Sequence, residues 1–84
     1  MSNSLNLIPG QKYKVIKAFI DYDKIVHPIG ETWTFMTTNF LPYEDGLTLH
    51  VIDNLQSELV YRFQWRKEEQ AYIIDNFKEF VEEV

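Results

Sequence analysis

The chain has 84 residues, 45% of them apolar, with eight Lys plus Arg against thirteen Asp plus Glu, a net charge of -5 and no cysteine. It is too hydrophobic for disorder and too short for two cores, and the absence of cysteine excludes disulfides, zinc-thiolate sites and thiol catalysis. The negative charge repels phosphate backbones and anionic membranes at long range, so neither nucleic acid nor a bilayer is an expected partner, whereas a protein partner with a basic surface is steered in.

Residues 1–10, MSNSLNLIPG, have neither a basic n-region nor an apolar h-region and read as an N-terminal tail ending in a turn at Pro9-Gly10. Residues 11–84 then form one globular domain, soluble and expected in the cytoplasm. The first strand is predicted over 12–20, KYKVIKAFI, where Lys17 breaks the alternation begun by Tyr13 and Val15; a bulge or bend near Ile16 reconciles the two halves. Residues 21–30, DYDKIVHPIG, read as a long hairpin-like loop in which Ile25-Val26 makes a brief edge pairing.

Trp33 and Phe35 share one face of a strand over 31–37, and Leu47, Leu49 and Val51 one face of a strand over 47–53. Leu59, Tyr61, Phe63 and Trp65 alternate with Arg62, Gln64 and Arg66 in a strand over 58–66. The period then changes. Ile73, Ile74, Phe77, Phe80, Val81 and Val84 recur at three- and four-residue spacing, which predicts an amphipathic helix over 67–82 with a frayed end at Glu82-Glu83. The expected fold is α+β, mainly β: a small SH3-like antiparallel barrel or twisted sheet of about five strands, with the C-terminal helix packed on it. A domain this small buries only roughly 60 to 65% of its unfolded surface, so function is expected on the outside.

Several ordered motifs, P-G-Q-K-Y-K-V, F-I-D-Y-D, H-P-I-G-E-T-W-T-F, F-L-P-Y-E-D-G-L-T-L and Q-W-R-K-E-E-Q, run from about residue 8 to 80. Together they resemble a family of small bacterial domains of unknown function; the resemblance implies the extent of the fold and supplies no activity. Ala18-Phe19-Ile20-Asp21-Tyr22-Asp23 is also similar to the Ala-Leu-Tyr-Asp-Tyr stretch of eukaryotic SH3 domains. The paired tryptophans of their peptide groove have no counterpart, since Trp33 and Trp65 fall in separate strands.

The chemistry-bearing residues form no recognised constellation. His27 and His50 lack metal-ligand spacing and read as exposed or capping histidines; Asp21, Asp23, Glu31, Glu44 and Asp45 read first as turn and strand-start residues, Asp45-Gly46 being a turn pair. No serine lies in a nucleophile motif and the three glycines build no phosphate cradle. No catalytic residue, metal or cofactor is therefore assigned. Lys12, Lys14 and Lys17 with Arg62 and Arg66 make a basic stripe only if the first and last strands adjoin. With the core aromatics assigned, Tyr22, Phe40 and Tyr43 are left in loops beside carboxylates. Phe40-Leu41-Pro42-Tyr43 reads as a plug over the barrel end, with Tyr43 showing one edge to solvent. The candidate binding residues are Asp21, Tyr22, Asp23, Phe40, Tyr43, Glu44 and Asp45. They point to a small acidic interaction module for a protein partner, an inhibitor or immunity-type protein being one form. A carboxylate-based metal-binding or enzymatic domain and a structural or oligomerisation unit are the alternatives; the oligomeric state is left open.

Overall fold

A computed structural model describes residues 5–84. Its main sheet is built from β1 (Lys12–Val15), β4 (Thr32–Leu41), β5 (Gly46–Ile52), β6 (Glu58–Gln64) and β7 (Val81–Glu83), antiparallel throughout in the order β6-β5-β4-β1-β7. A second sheet is the hairpin of β2 (Phe19–Ile20) and β3 (Val26–His27). Alternation decides the faces: Leu47, Leu49 and Val51 of β5 are buried and register with the inward residues Phe63, Tyr61 and Leu59 of β6, while Thr48 and His50 look out.

The first strand segment breaks at Ile16. The N–H groups of Ile16 and Lys17 both donate to the Phe80 carbonyl, at 2.7 and 3.2 Å, and β2 departs from that bend. It carries the chain to the opposite edge of the sheet, where the Tyr22 N–H donates to the Arg62 carbonyl at 2.7 Å. The hairpin meets β6 through that bond and the sheet does not close: of the two forms expected, the SH3-like barrel is not formed and the five-stranded sheet is, open and with a two-stranded flap.

The long C-terminal helix is also corrected. Residues 67–82 fold as α1 (Ala71–Asp75), a single 3-10 turn over Phe77–Glu79, and the start of β7. Asn76 ends α1, its N–H and its Nδ2 both donating to the Tyr72 carbonyl at 3.0 and 2.9 Å. The spacing still buries Ile74, Phe77, Phe80 and Val81. A continuous helix, however, leaves the outer edge of β1 unpaired, and the cost of unpaired backbone groups selects a strand. Glu82 and Glu83 lie opposite Lys14 and Tyr13 in that pairing.

The segment 5–10 is not a tail. Leu5 and Leu7 are buried with the core, the Ile8 N–H donates to the Tyr13 hydroxyl at 2.9 Å, and the Gly10 N–H to the Phe35 carbonyl at 2.8 Å. Residues 1–4 of the expected tail lie outside the described residues. Core aromatics contact one another around Phe77, whose ring lies 5.5 Å from Phe19, 6.2 Å from Phe63 and 6.4 Å from Trp33. Phe77→Ala is expected to cost about 3 to 5 kcal/mol in chemical denaturation, comparable with the whole stability of a small domain. Retention of wild-type stability contradicts this packing.

Candidate functional site

Two polar arrangements stand out, one beneath the β2–β3 flap and one between the flap and the β4–β5 turn. In the alternation of β2, Phe19 points inward and so does Asp21, which is fully buried. Across the hairpin, Phe19 faces His27, which is 1% exposed and stacks on the Phe19 ring at 4.7 Å with its edge against Tyr61 at 4.2 Å. His27 Nε2 lies 2.9 Å from Asp21 Oδ2 and Nδ1 lies 2.8 Å from Glu31 Oε1. Asp21 Oδ1 also accepts the N–H groups of Asp23 and Ile25, and Glu31 Oε1 accepts the Trp33 indole N–H at 3.1 Å.

Neutral imidazole donates from one nitrogen only. With both nitrogens against carboxylate oxygens, the cluster needs a second shared proton, so ring and carboxyls act as one hydrogen-bonded unit. His27 and Asp21 are therefore neither exposed nor surface groups: the sequence expectation fails because their partners meet only once the hairpin has formed. Among the described residues no three His, Asp or Glu side chains are arranged to hold a metal ion.

Between the flap and the β4–β5 turn lies a groove of about 130 Å³, lined by Tyr22 from the hairpin, Leu41 and Glu44 from the β4–β5 connection, and Gly46, Arg62 and Gln64 among others. The connection is a 3-10 turn, Pro42–Glu44, closed by Asp45 in the left-handed conformation at φ 50°. Asp45, rather than the glycine, takes the strained position of the turn. Arg62 forks onto Asp23, with Nε donating to Oδ2 at 3.0 Å, and Arg66 Nε donates to Asp45 Oδ2 at 3.0 Å. The Arg62 hydrogen bond holds the Asp23 carboxyl below its ordinary value and, in return, pushes the guanidinium further up.

The seven candidate residues thus divide. Tyr22 and Glu44 share the groove, Asp23 and Asp45 are bound to arginines at its margin, and Asp21 is buried below. Phe40 packs edge-on against Trp65 at 5.6 Å while 42% exposed, and Tyr43 is 100% exposed. The plug is not formed: β4 runs on through Leu41, and with no barrel mouth to cover, the turn projects into solvent. The basic stripe is not formed either, since β4 and β5 separate β1 from β6. Sequence reading missed Leu41, Gly46 and Arg62 as groove residues. The signal for Gly46 was a glycine in a strand whose turn already had an Asp to take the left-handed position.

Fold and site define a small open antiparallel sheet with a charge-clamped hairpin flap. A family model, described as a domain of unknown function (DUF3601), matches residues 3–84, and the chain belongs to that family. It is also similar to an integron cassette protein from the mobile metagenome of Vibrio cholerae. The two are 33% identical with a TM-score of 0.92, over 100% of this chain and 92% of that one. Comparison with curated proteins returns no match. No helix among the described residues is long and apolar enough to cross a membrane.

His27→Gln leaves a carboxylate buried without its counter-charge and is expected to cost about 3 to 5 kcal/mol, read by urea denaturation. A loss below 1 kcal/mol, roughly the worth of a surface pair, means the clamp is not a buried charge pair. Burial, with Glu31, Asp53 and Asp21 adding, pushes the Tyr61 hydroxyl up to about 12. The unfolded chain releases that proton near pH 10. The stabilisation is thus complete below pH 10 and fades as pH rises toward 12. Tyr61→Phe is expected to flatten the stability profile in that window, and an unchanged alkaline slope assigns it elsewhere.

Proposed function

We propose that this domain is a non-enzymatic, acidic binding module of the bacterial cytoplasm that takes a protein partner on the face where the β2–β3 flap meets the β4–β5 turn. One observation carries the reading: Tyr22 and Glu44, from segments about twenty residues apart in sequence, line the same groove, with Tyr43 wholly exposed on the adjoining turn. The same two segments carry further exposed apolar side chains, Leu41 at 53% and, on the flap, the facing pair Ile20 and Val26 at 48% and 56%. Aromatic and aliphatic area supplies contact, while a chain of net charge -5 steers a basic surface toward it. An inhibitor or immunity-type role is one form this takes.

The experiment compares the wild-type chain with the double variant Tyr43→Ala, Glu44→Lys as bait in host lysate, with captured proteins identified and the interaction rebuilt from pure components. Both positions are exposed, so the fold is retained. Loss of an anchoring aromatic together with a reversed charge is expected to weaken a partner's binding about 30-fold or more. A partner bound equally by both baits removes this face from the function.

A further inference from the structure

Gly46 opens β5 opposite Leu41 and Gln64, and its backbone is not left-handed; among the described glycines only Gly10 and Gly30 have positive φ. A Cβ built there meets nothing closer than Glu44 Cβ at 3.8 Å and Glu44 Oε2 at 4.0 Å, which is ordinary contact. The backbone thus does not require glycine, and its missing side chain helps keep the groove open beneath the Glu44 carboxylate. At about 130 Å³ the hollow is far smaller than the roughly 300 Å³ or more of a typical small-molecule site. It has room for the end of one side chain.

Charge selects which side chain. Asp23 is bound to Arg62 and Asp45 to Arg66, whereas Glu44 has no hydrogen bond or ion pair among the described residues and acts on Arg62 only at Coulombic range. An anion entering the groove meets a guanidinium already forked by Asp23. A cation meets Glu44 and the half-exposed ring of Tyr22, the Arg62 charge on the same wall being offset by Asp23. A planar, weakly hydrated guanidinium suits a carboxylate and an aromatic ring together better than a compact, strongly hydrated ammonium does.

We propose that the Gly46 groove seats one arginine side chain of the partner, its guanidinium held between Glu44 and Tyr22. This rests on the binding-module reading and adds the chemistry that the face recognises. The test uses three blocked tripeptides, N-acetyl-Gly-X-Gly-amide with X as arginine, lysine or the neutral isostere citrulline, titrated into the full chain and followed by amide chemical shifts. The arginine peptide is expected to shift the amides of Gly46, Glu44 and Tyr22 saturably. Citrulline is expected to bind about tenfold or more weakly, through loss of a charge-assisted hydrogen bond.

Glu44→Gln should bring arginine down to the citrulline level, and Gly46→Leu should abolish the shifts. Gly46→Ala, which narrows the groove by one carbon without a clash, serves if the leucine variant misfolds and is expected to weaken arginine binding. Equal shifts from arginine and citrulline, equal binding of lysine, absence of saturation, or shifts confined to other surfaces each overturn the proposal. A partner lost with the Tyr43, Glu44 double variant in the absence of arginine-peptide binding leaves the module standing and removes the cation seat. Arginine binding at Gly46 with partner capture unchanged leaves a guanidinium site but takes the partner from it, and so overturns the proposal together with the module.

Discussion

A histidine ring closed off from water between two carboxylates is expensive to assemble, since each buried ion forfeits several kcal/mol of hydration that its partners return only when every donor and acceptor is matched. Here the matching is complete: Asp21 accepts from two backbone N–H groups as well as from His27, and Glu31 accepts from His27 and the Trp33 indole. Among the described residues no buried side-chain nitrogen or oxygen lacks a partner. Any other placement of the hairpin leaves at least one of these buried polar groups without its partner, which is costly in a dry interior. Its two carboxylates stand at the exit of β2 and the entrance of β4, with the imidazole on β3 between them, so it sets the whole flap rather than one turn.

The outer surface follows from that placement. With Asp21 turned inward, the next two residues of the chain fall at the edge of β6, where the Tyr22 N–H meets the Arg62 carbonyl and Asp23 meets the Arg62 guanidinium. β6 thus acts as a rail: one of its arginine neighbours ties down the flap and the next ties down the β4–β5 turn through Asp45. Further along, Gln70 clasps the end of the strand with its side-chain carbonyl on the Gln64 N–H and its own N–H on the Gln64 carbonyl. Two loops remote in sequence are brought to a common groove by one arginine on β6 and a second just beyond its end.

Much of this was legible in the residues and some was not. The alternation in 47–53 and 58–66 announced β5 and β6 because their sheet has one dry and one wet face. Lys17 announced the bend near Ile16, although nothing local named the Phe80 carbonyl as its anchor. The segment after Lys67 misled because three- and four-residue spacing of Ile74, Phe77, Phe80 and Val81 is met equally by a short helix, a 3-10 turn and a strand laid over the same core. What decided between them was the unpaired edge of β1, a feature more than sixty residues away. The clamp was hidden for a similar reason: in DYDKIVHPIGE the polar residues look like turn formers, and only the pairing of Phe19 with His27 aims Asp21 and the imidazole at each other.

The outermost strand β7 has three residues, two of them glutamate, both exposed. An open sheet risks serving as a template on which a second molecule's backbone polymerises, and natural sheets suppress this with short and charged borders. At the opposite border the flap and the Gln70 clasp occupy the carbonyls of Arg62 and Gln64. Another chain is thereby denied the end of β6 nearest the flap and the charged, three-residue ribbon of β7, which leaves Glu58–Tyr61 as the stretch of margin on which a second backbone could pair.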